Sequence, residues 1–257
     1  MMELAAATLA SFLAAVVDSI AGGGGLVSIP ILFSVFPAAA PATLFGTNKS
    51  AMVWGTLWAS ATYARHVTLP WRTLGPSIVA AVAGAALGSW CVTRVPAGWL
   101  RDLLPWMLAG VLVVTFLKKD LGHSHAPRFS PAWEAGIGSI VSLLLGFYDG
   151  FFGPGTGSFL IFAFIHVLGF DFLHAVGCSK VLNSATNVAS VATFACTGHV
   201  WWSFAIPMAV ANVAGSVLGT RLAIRRGSGF IRLVFLAVVA GLVLKTGFDA
   251  FLVPSIR

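Results

Sequence analysis

Two lysines and two aspartates lie within or at the ends of long apolar stretches of this 257-residue chain: Lys49, Lys180, Asp18 and Asp149. A charge at such a position inside lipid costs about 2.5–3.5 kcal/mol on insertion scales unless it is compensated. The lysines therefore call for partners, either the acids or a bound anion. Each aspartate opens a glycine-rich run, Asp18-Ser-Ile-Ala-Gly-Gly-Gly-Gly25 and Asp149-Gly-Phe-Phe-Gly-Pro-Gly-Thr-Gly157. A helix interrupted in lipid strands backbone N–H and C=O groups that protein or water must satisfy. The runs are thus expected beside a cavity, with new helix N-termini at Leu26 and Ser158 whose free amides and positive dipole ends suit an anion. Candidate donors are Gly22, Gly23, Gly24 and Gly25 in one run and Gly153, Gly155, Thr156 and Gly157 in the other. Close helix packing through small residues is the competing reading.

Lys49 follows Pro41 by eight residues and Lys180 follows Asp171 by nine. At about 1.5 Å per helical residue each lies roughly 12–14 Å from its turn, too deep to snorkel with ease. An ion pair of Asp18 with one lysine and Asp149 with the other is compatible with anion contact. The two aspartates end apolar stretches of 13 and 16 residues, where a carboxylate either couples protons or caps the amides of a broken helix. Lys180, Asn183, Ser184 and Asn187 share one helix face at i, i+3, i+4 and i+7 spacing. The equivalent positions after Lys49 are Met52, Val53 and Thr56, so the second stripe is expected to supply more of the polar selectivity. Asn48, Ser179, Asn183 and Asn187 are the side-chain donor candidates. The plainer alternative for them is interhelical hydrogen bonding, worth about 0.6 kcal/mol per contact.

These residues recur at a fixed offset. Adding 131 to a residue number pairs Asp18 with Asp149, Gly22 with Gly153, Lys49 with Lys180, Gly84 with Gly215, Gly88 with Gly219, Arg94 with Arg225 and Arg101 with Arg232. Doubled apolar halves with interruptions at matching places are a pattern of secondary transporters.

Composition sets the solvent. The chain is 58% hydrophobic and 9% charged, with a mean hydropathy of +0.93, against about 25% charged residues in soluble domains. Repeated apolar runs of about 20 residues match the hydrocarbon layer, and no strand-like alternation points to a β-barrel. An all-α, polytopic membrane protein follows. The net charge of +7 fits juxtamembrane Lys and Arg; no basic run exceeds two residues, which argues against nucleic acid. Cys91, Cys178 and Cys196 lack metal spacing and read as free thiols. His123 and His125 do not make a specific metal site. No catalytic motif, metal site or cofactor-binding motif is visible.

The elements that position the charges are eight hydrophobic segments in two groups of four. The first group holds Ala5–Phe36 with its break, then about Thr43–Tyr63, Leu74–Val92 and Leu100–Leu117. The second holds Trp133–Leu168 with its break, then about Phe172–Phe194, Phe204–Ile224 and Phe230–Phe251. The repeats are thus 1–117 and 132–257, joined by the polar linker 118–131. Each broken first segment is either a tilted helix that crosses once, giving parallel halves, or a re-entrant hairpin, giving inverted halves. Flanking charges leave orientation open, because Arg94, Arg101, Arg221, Arg225, Arg226 and Arg232 flank one class of loop and Arg65, Arg72, Lys118, Lys119 and Arg128 the other.

The motifs resemble those of the sulfite exporter TauE/SafE family, also called the sulfonate uptake permease family. The resemblance rests on Asp18-x-x-x-Gly-x-Gly-Gly followed by Leu-Val-Ser-Ile-Pro, on Gly46-Thr-Asn-Lys49, and on the matching Gly-Phe-x-Asp149-Gly-x-x-Gly-x-Gly and Gly177-x-Ser-Lys180. It covers essentially the whole chain. It implies a multi-pass permease of a bacterial inner membrane that moves sulfur-containing anions such as sulfite or sulfonates without ATP. Pro154 departs from the matching glycine run of the first half. The expectation is a secondary transporter that binds a small anion between the halves, with the lipid bilayer as its other partner, no cofactor and no nucleic acid. An anion channel is the alternative, and a homodimer is allowed for.

Overall fold

The computed structural model describes residues 1–116 and 128–226. The described residues form nine helices and no strand. They are α1 (Met2–Ala21), α2 (Gly25–Val35), α3 (Pro41–His66), α4 (Trp71–Val92), α5 (Ala97–Phe116), α6 (Pro131–Phe151), α7 (Thr156–His166), α8 (Phe172–Cys196) and α9 (Trp202–Arg226). Seven of the eight expected hydrophobic segments lie among these residues. The first segment of each half is split by its glycine run, which turns seven segments into nine helices. The expected last segment, Phe230–Phe251, and all but the end of the linker 118–131 fall outside the described residues. Met2–Ile20, Trp71–Val92 and Trp202–Arg226 are long and apolar enough to cross a membrane.

Local chemistry explains where the helices start. Pro41 and Pro131 open α3 and α6, where a missing N–H costs nothing. Asp171 caps α8 by accepting from the amides of Leu173 at 2.9 Å and His174 at 3.0 Å. The helix ends differ from the expectation at one point: α1 and α6 continue through Asp18 and Asp149 instead of stopping before them. Gly22 N still bonds Asp18 O at 2.9 Å and Phe152 N bonds Tyr148 O at 2.8 Å, because the backbone leaves the helix only where glycines take positive φ. Both acids therefore sit in the last turn of a helix.

The broken segments are hairpins. Gly24, at the start of α2, lies against Ala14 O and Asp18 Cβ of α1, and Leu32 shares an apolar cluster with Ala7, so α2 runs back along α1. In the same way α7 returns to the start of α6, where Arg128 N bonds Leu168 O at 3.2 Å. The hairpins enter from opposite ends of the bundle. The starts of α3 and α9 meet where Trp201 N bonds Thr47 Oγ1 at 3.0 Å, and the end of α2 joins them there through Phe36 against Trp201 and Phe204. At the far end, Gly177 near the start of α8 packs on Tyr63, Val67 and Leu69, at and just past the end of α3.

Packing recurs at the 131-residue offset. Gly84 and Gly88 of α4 lie against Leu143 O and Phe147 O of α6, and Gly215 and Gly219 of α9 against Phe12 O and Val16 O of α1. A side chain at any of the four would strike a carbonyl oxygen, so each crossing needs its glycines. The largest buried apolar cluster holds Ile20, Tyr63, Leu160, Ile161, Phe164 and Phe172 toward the α7–α8 end. A second, with Ile29, Phe45, Phe152 and Phe194, lies toward the other.

Candidate functional site

The hairpin turns are set by glycine. Gly22 and Gly23 have φ of 76° and 87°, and Gly153 and Gly155 of 93° and 84°, a region that side-chain-bearing residues rarely adopt. The turns lie against each other inside the bundle: a Cβ on Gly22 would stand 2.6 Å from Gly157 C, and one on Gly25 3.1 Å from Pro154 Cα.

The four charged residues form two crossed ion pairs, each joining an acid of one half to the lysine of the other. Lys180 Nζ is 2.7 Å from Asp18 Oδ2 and also donates to the main-chain oxygen of Asp18. Asp18 Oδ1 accepts from Gly24 N at 3.2 Å, so this acid also ties down the turn just before α2. Lys49 Nζ is 2.6 Å from Asp149 Oδ2. Beyond this ion pair Asp149 Oδ2 has no hydrogen-bond partner. The hydrogen bond of Lys49 goes to Asn187 Oδ1 at 2.9 Å, and Asn187 Nδ2 donates to Thr56 Oγ1 at 3.3 Å. Thr56 and Asn187 are themselves one offset pair, so the two halves touch here through equivalent positions.

A small, partly open pocket lies between the turns and the two lysine-bearing helices. Its wall takes Gly23, Gly24 and Gly25 from the first turn and Gly153, Gly155, Thr156 and Gly157 from the second. Asn48 and Lys49 of α3, Asn183 and Asn187 of α8, and both aspartates complete its polar part. Asn48 Oδ1 is buried there without a hydrogen-bond partner, its amide nitrogen lying 3.2 Å from Met52 Sδ. Three of the residues expected at the site stand behind this wall. Gly22 props Gly157, Ser179 Oγ donates to Gly157 O at 2.9 Å, and Lys180 is fully buried against Asp18.

Ile29, Phe45, Met52, Phe152 and Pro154 also line the cavity. Apolar residues in an apolar chain carry no signal of their own, and sequence reasoning passed over four of them. Pro154 alone stood out, as the residue that breaks the match between the glycine runs. It is pinned by Tyr148, whose hydroxyl donates to Pro154 O at 2.6 Å. Among the described residues no cluster of three His, Cys, Asp or Glu could hold a metal; His123 and His125 lie outside them.

The arrangement suits a small anion. Two helix N-termini, at Gly24–Gly25 and Gly155–Thr156, open on one cavity beside a lysine ammonium. The pattern of the sulfite exporter TauE/SafE family matches residues 7–246. The chain belongs to that family. It is 33% identical over 243 residues to the probable membrane transporter protein ORF9 of Sinorhizobium sp, covering 92% of this chain and 89% of that one. It is 33% identical over 222 residues to a probable membrane transporter protein of Haemophilus influenzae, covering 86% and 85%. It is also 31% identical over 240 residues to the probable membrane transporter protein YfcA of Escherichia coli, covering 93% and 88%. No solved structure matches the chain. As a family member with apolar helices of spanning length it is an integral membrane protein and a membrane transporter.

Proposed function

We propose that the chain is a secondary transporter of an inner membrane that carries a small sulfur-containing anion, such as sulfite or an organosulfonate, through the cavity between its two hairpin turns. The observation that carries this reading is the convergence of two helix N-termini and the Lys49 ammonium on one buried cavity. Lys49 supplies the charge, and the turn amides and the amides of Asn48, Asn183 and Asn187 supply oriented donors. Lys180 acts from behind the wall by holding Asp18, and through it the first turn. We read 1–117 and 132–257 as inverted repeats joined by 118–131. The oppositely entering hairpins and the contacts repeated at 131 residues support this. Rocking of one repeat against the other would expose the cavity to each side in turn.

The test is anion binding by purified protein in detergent, across sulfite, thiosulfate, sulfate and small sulfonates. Lys49→Ala is expected to lose binding while the protein stays folded; wild-type affinity in that variant sinks the proposal. Uptake into proteoliposomes should saturate with anion concentration, whereas a channel would give unsaturable current with single-channel steps.

A further inference from the structure

We propose that Asp149 is the proton-exchange group of this transporter, and that protonating it releases Lys49 to the substrate anion. The inference rests on the reading of the cavity as an anion site. Two lysines and two aspartates leave the site with no net charge. An anion entering that buried space brings one uncompensated negative charge, which is strongly unfavourable in a low dielectric. One proton on a carboxylate restores the balance.

The two acids are not equally free to take it. Asp18 is held on both oxygens, by Lys180 and by Gly24 N, and its lysine is fully buried away from the cavity. Asp149 Oδ2 is held by Lys49 alone, and both residues border the pocket, whereas of the other pair only Asp18 does. Lys49 keeps its bond to Asn187 when the acid lets go, so it stays aimed at the cavity.

Among the described residues the elements around Asp149 bring one other acid to the pocket, Asp18. From α3 it faces Lys49. On its own helix the neighbour is Tyr148, whose hydroxyl is committed to Pro154 O. The α7 turn presents Gly153 and Thr156, the threonine hydroxyl donating to Gly153 O at 2.8 Å. From α4, Ser89 bonds Gly150 O at 3.2 Å and brings no charge. From α8 come Asn187 and Lys180, and from α1 comes Asp18, which is engaged by Lys180 yet within electrostatic reach of Lys49.

The cycle balances. A proton from the open side forms an O–H bond on the Asp149 carboxylate, the ion pair parts, and the still-protonated Lys49 takes the anion. On the other side the proton leaves, Asp149 reclaims Lys49 and the anion departs. One proton moves with each singly charged anion, and its direction follows the summed gradients of both.

The experiment uses anions of strong acids, methanesulfonate and thiosulfate, whose own charge does not change across the range studied. Binding to full-length protein should weaken about tenfold per unit rise in pH while Asp149 is ionised. Asp149→Asn should bind the same probe with little dependence on pH, and its proteoliposomes should no longer accumulate the anion on an imposed pH gradient. A melting curve of this near-isosteric variant checks its fold. A wild-type pH slope kept in Asp149→Asn, or binding lost in it at every pH, overturns the inference. Anion binding by wild type that ignores pH overturns the inference alone, whereas no binding of any sulfur anion at any pH overturns the cavity reading as well.

A separate observation orients the chain: we infer that the bundle end bearing Arg65 and Arg72 faces the cytoplasm. The arginines that the sequence divides between two classes of loop sort once the directions of the helices are known. Since α9 runs alongside α3, from Trp201 at Thr47 to Ser216 at Gly55 O, its terminal Arg221, Arg225 and Arg226 lie at the end of Arg65 and Arg72. Arg128 belongs there too, bonded at 2.7 Å to His166 O. Arg94 and Arg101 remain at the opposite end, beside the last residues of the α2 hairpin. Among the described residues six arginines stand against two, and that excess sets the cytoplasmic side. Glu3→Cys and Arg65→Cys, each in a chain with Cys91, Cys178 and Cys196 replaced, provide the test with an impermeant maleimide on spheroplasts. Glu3→Cys should react at once and Arg65→Cys only after lysis; the reverse pattern overturns the assignment.

Discussion

The two ion pairs occupy equivalent places in a doubled chain and yet are built to different ends. Lys180 directs donors at a carboxylate and at the main-chain oxygen of the same residue, and is wholly enclosed. Lys49 divides itself between a charge contact with Asp149 and a hydrogen bond to Asn187, on a cavity wall. The first arrangement fixes a hairpin turn, because Asp18 also holds the Gly24 amide just before α2. The second leaves a cation whose partner can be replaced. On the proposed reading, parts repeated at the 131-residue offset serve structure in one copy and cargo in the other.

The strongest way to break this comparison is to remove the enclosed cation. Lys180→Met leaves the Asp18 carboxylate buried and unpaired, a change that typically costs about 3–5 kcal/mol. Lys49→Met is expected to cost clearly less, because Lys180 is wholly enclosed and also satisfies the main-chain oxygen of Asp18, whereas Lys49 already borders the pocket. Denaturation of each variant in mild detergent, followed by the change in transition midpoint, measures the gap. Asp18→Asn combined with Lys180→Met should recover most of the loss, since the pair would then vanish without an orphaned charge. Equal losses from the two lysine variants would show that the pairs are alike after all.

Some of this division was legible in the chain and some was not. The glycine runs announced their breaks because only a cavity or a turn tolerates that composition inside an apolar segment. The need of each lysine for a partner followed from burial alone, with the acids and a bound anion both open. Which acid meets which lysine did not, because Asp18 and Lys180 are brought together only by hairpins that enter from opposite ends. Nor did the position of the acids in the last helical turn, which depends on where Gly22 and Gly153 take positive φ. The contact of Thr56 with Asn187 carried a faint signal, as two polar residues at one offset position. Phe45 and Phe152, packed ring to ring at 5.9 Å beside the cavity, carried none among 20 phenylalanines.

A smaller effect sharpens the comparison at its asymmetric point. Asn187 has Thr56 as its counterpart, and it alone gives Lys49 a hydrogen-bonding partner that is not an acid. Asn187→Ala removes that partner and leaves the ammonium to Asp149, so the anion must then compete with an undivided ion pair. The loss should be near that of one hydrogen bond to a charged group, about 1.5–3 kcal/mol at most and nearer the lower bound at a partly hydrated wall. Anion affinity should therefore fall about tenfold, well short of its loss in Lys49→Ala, with little change in the unfolding midpoint. Thr56→Ala, which touches Lys49 only through Asn187, should weaken binding less still. Titration of both variants with the same anion ranks them, and a Thr56 effect equal to that of Asn187 would mean that Asn187 positions the two helices and does not direct the lysine.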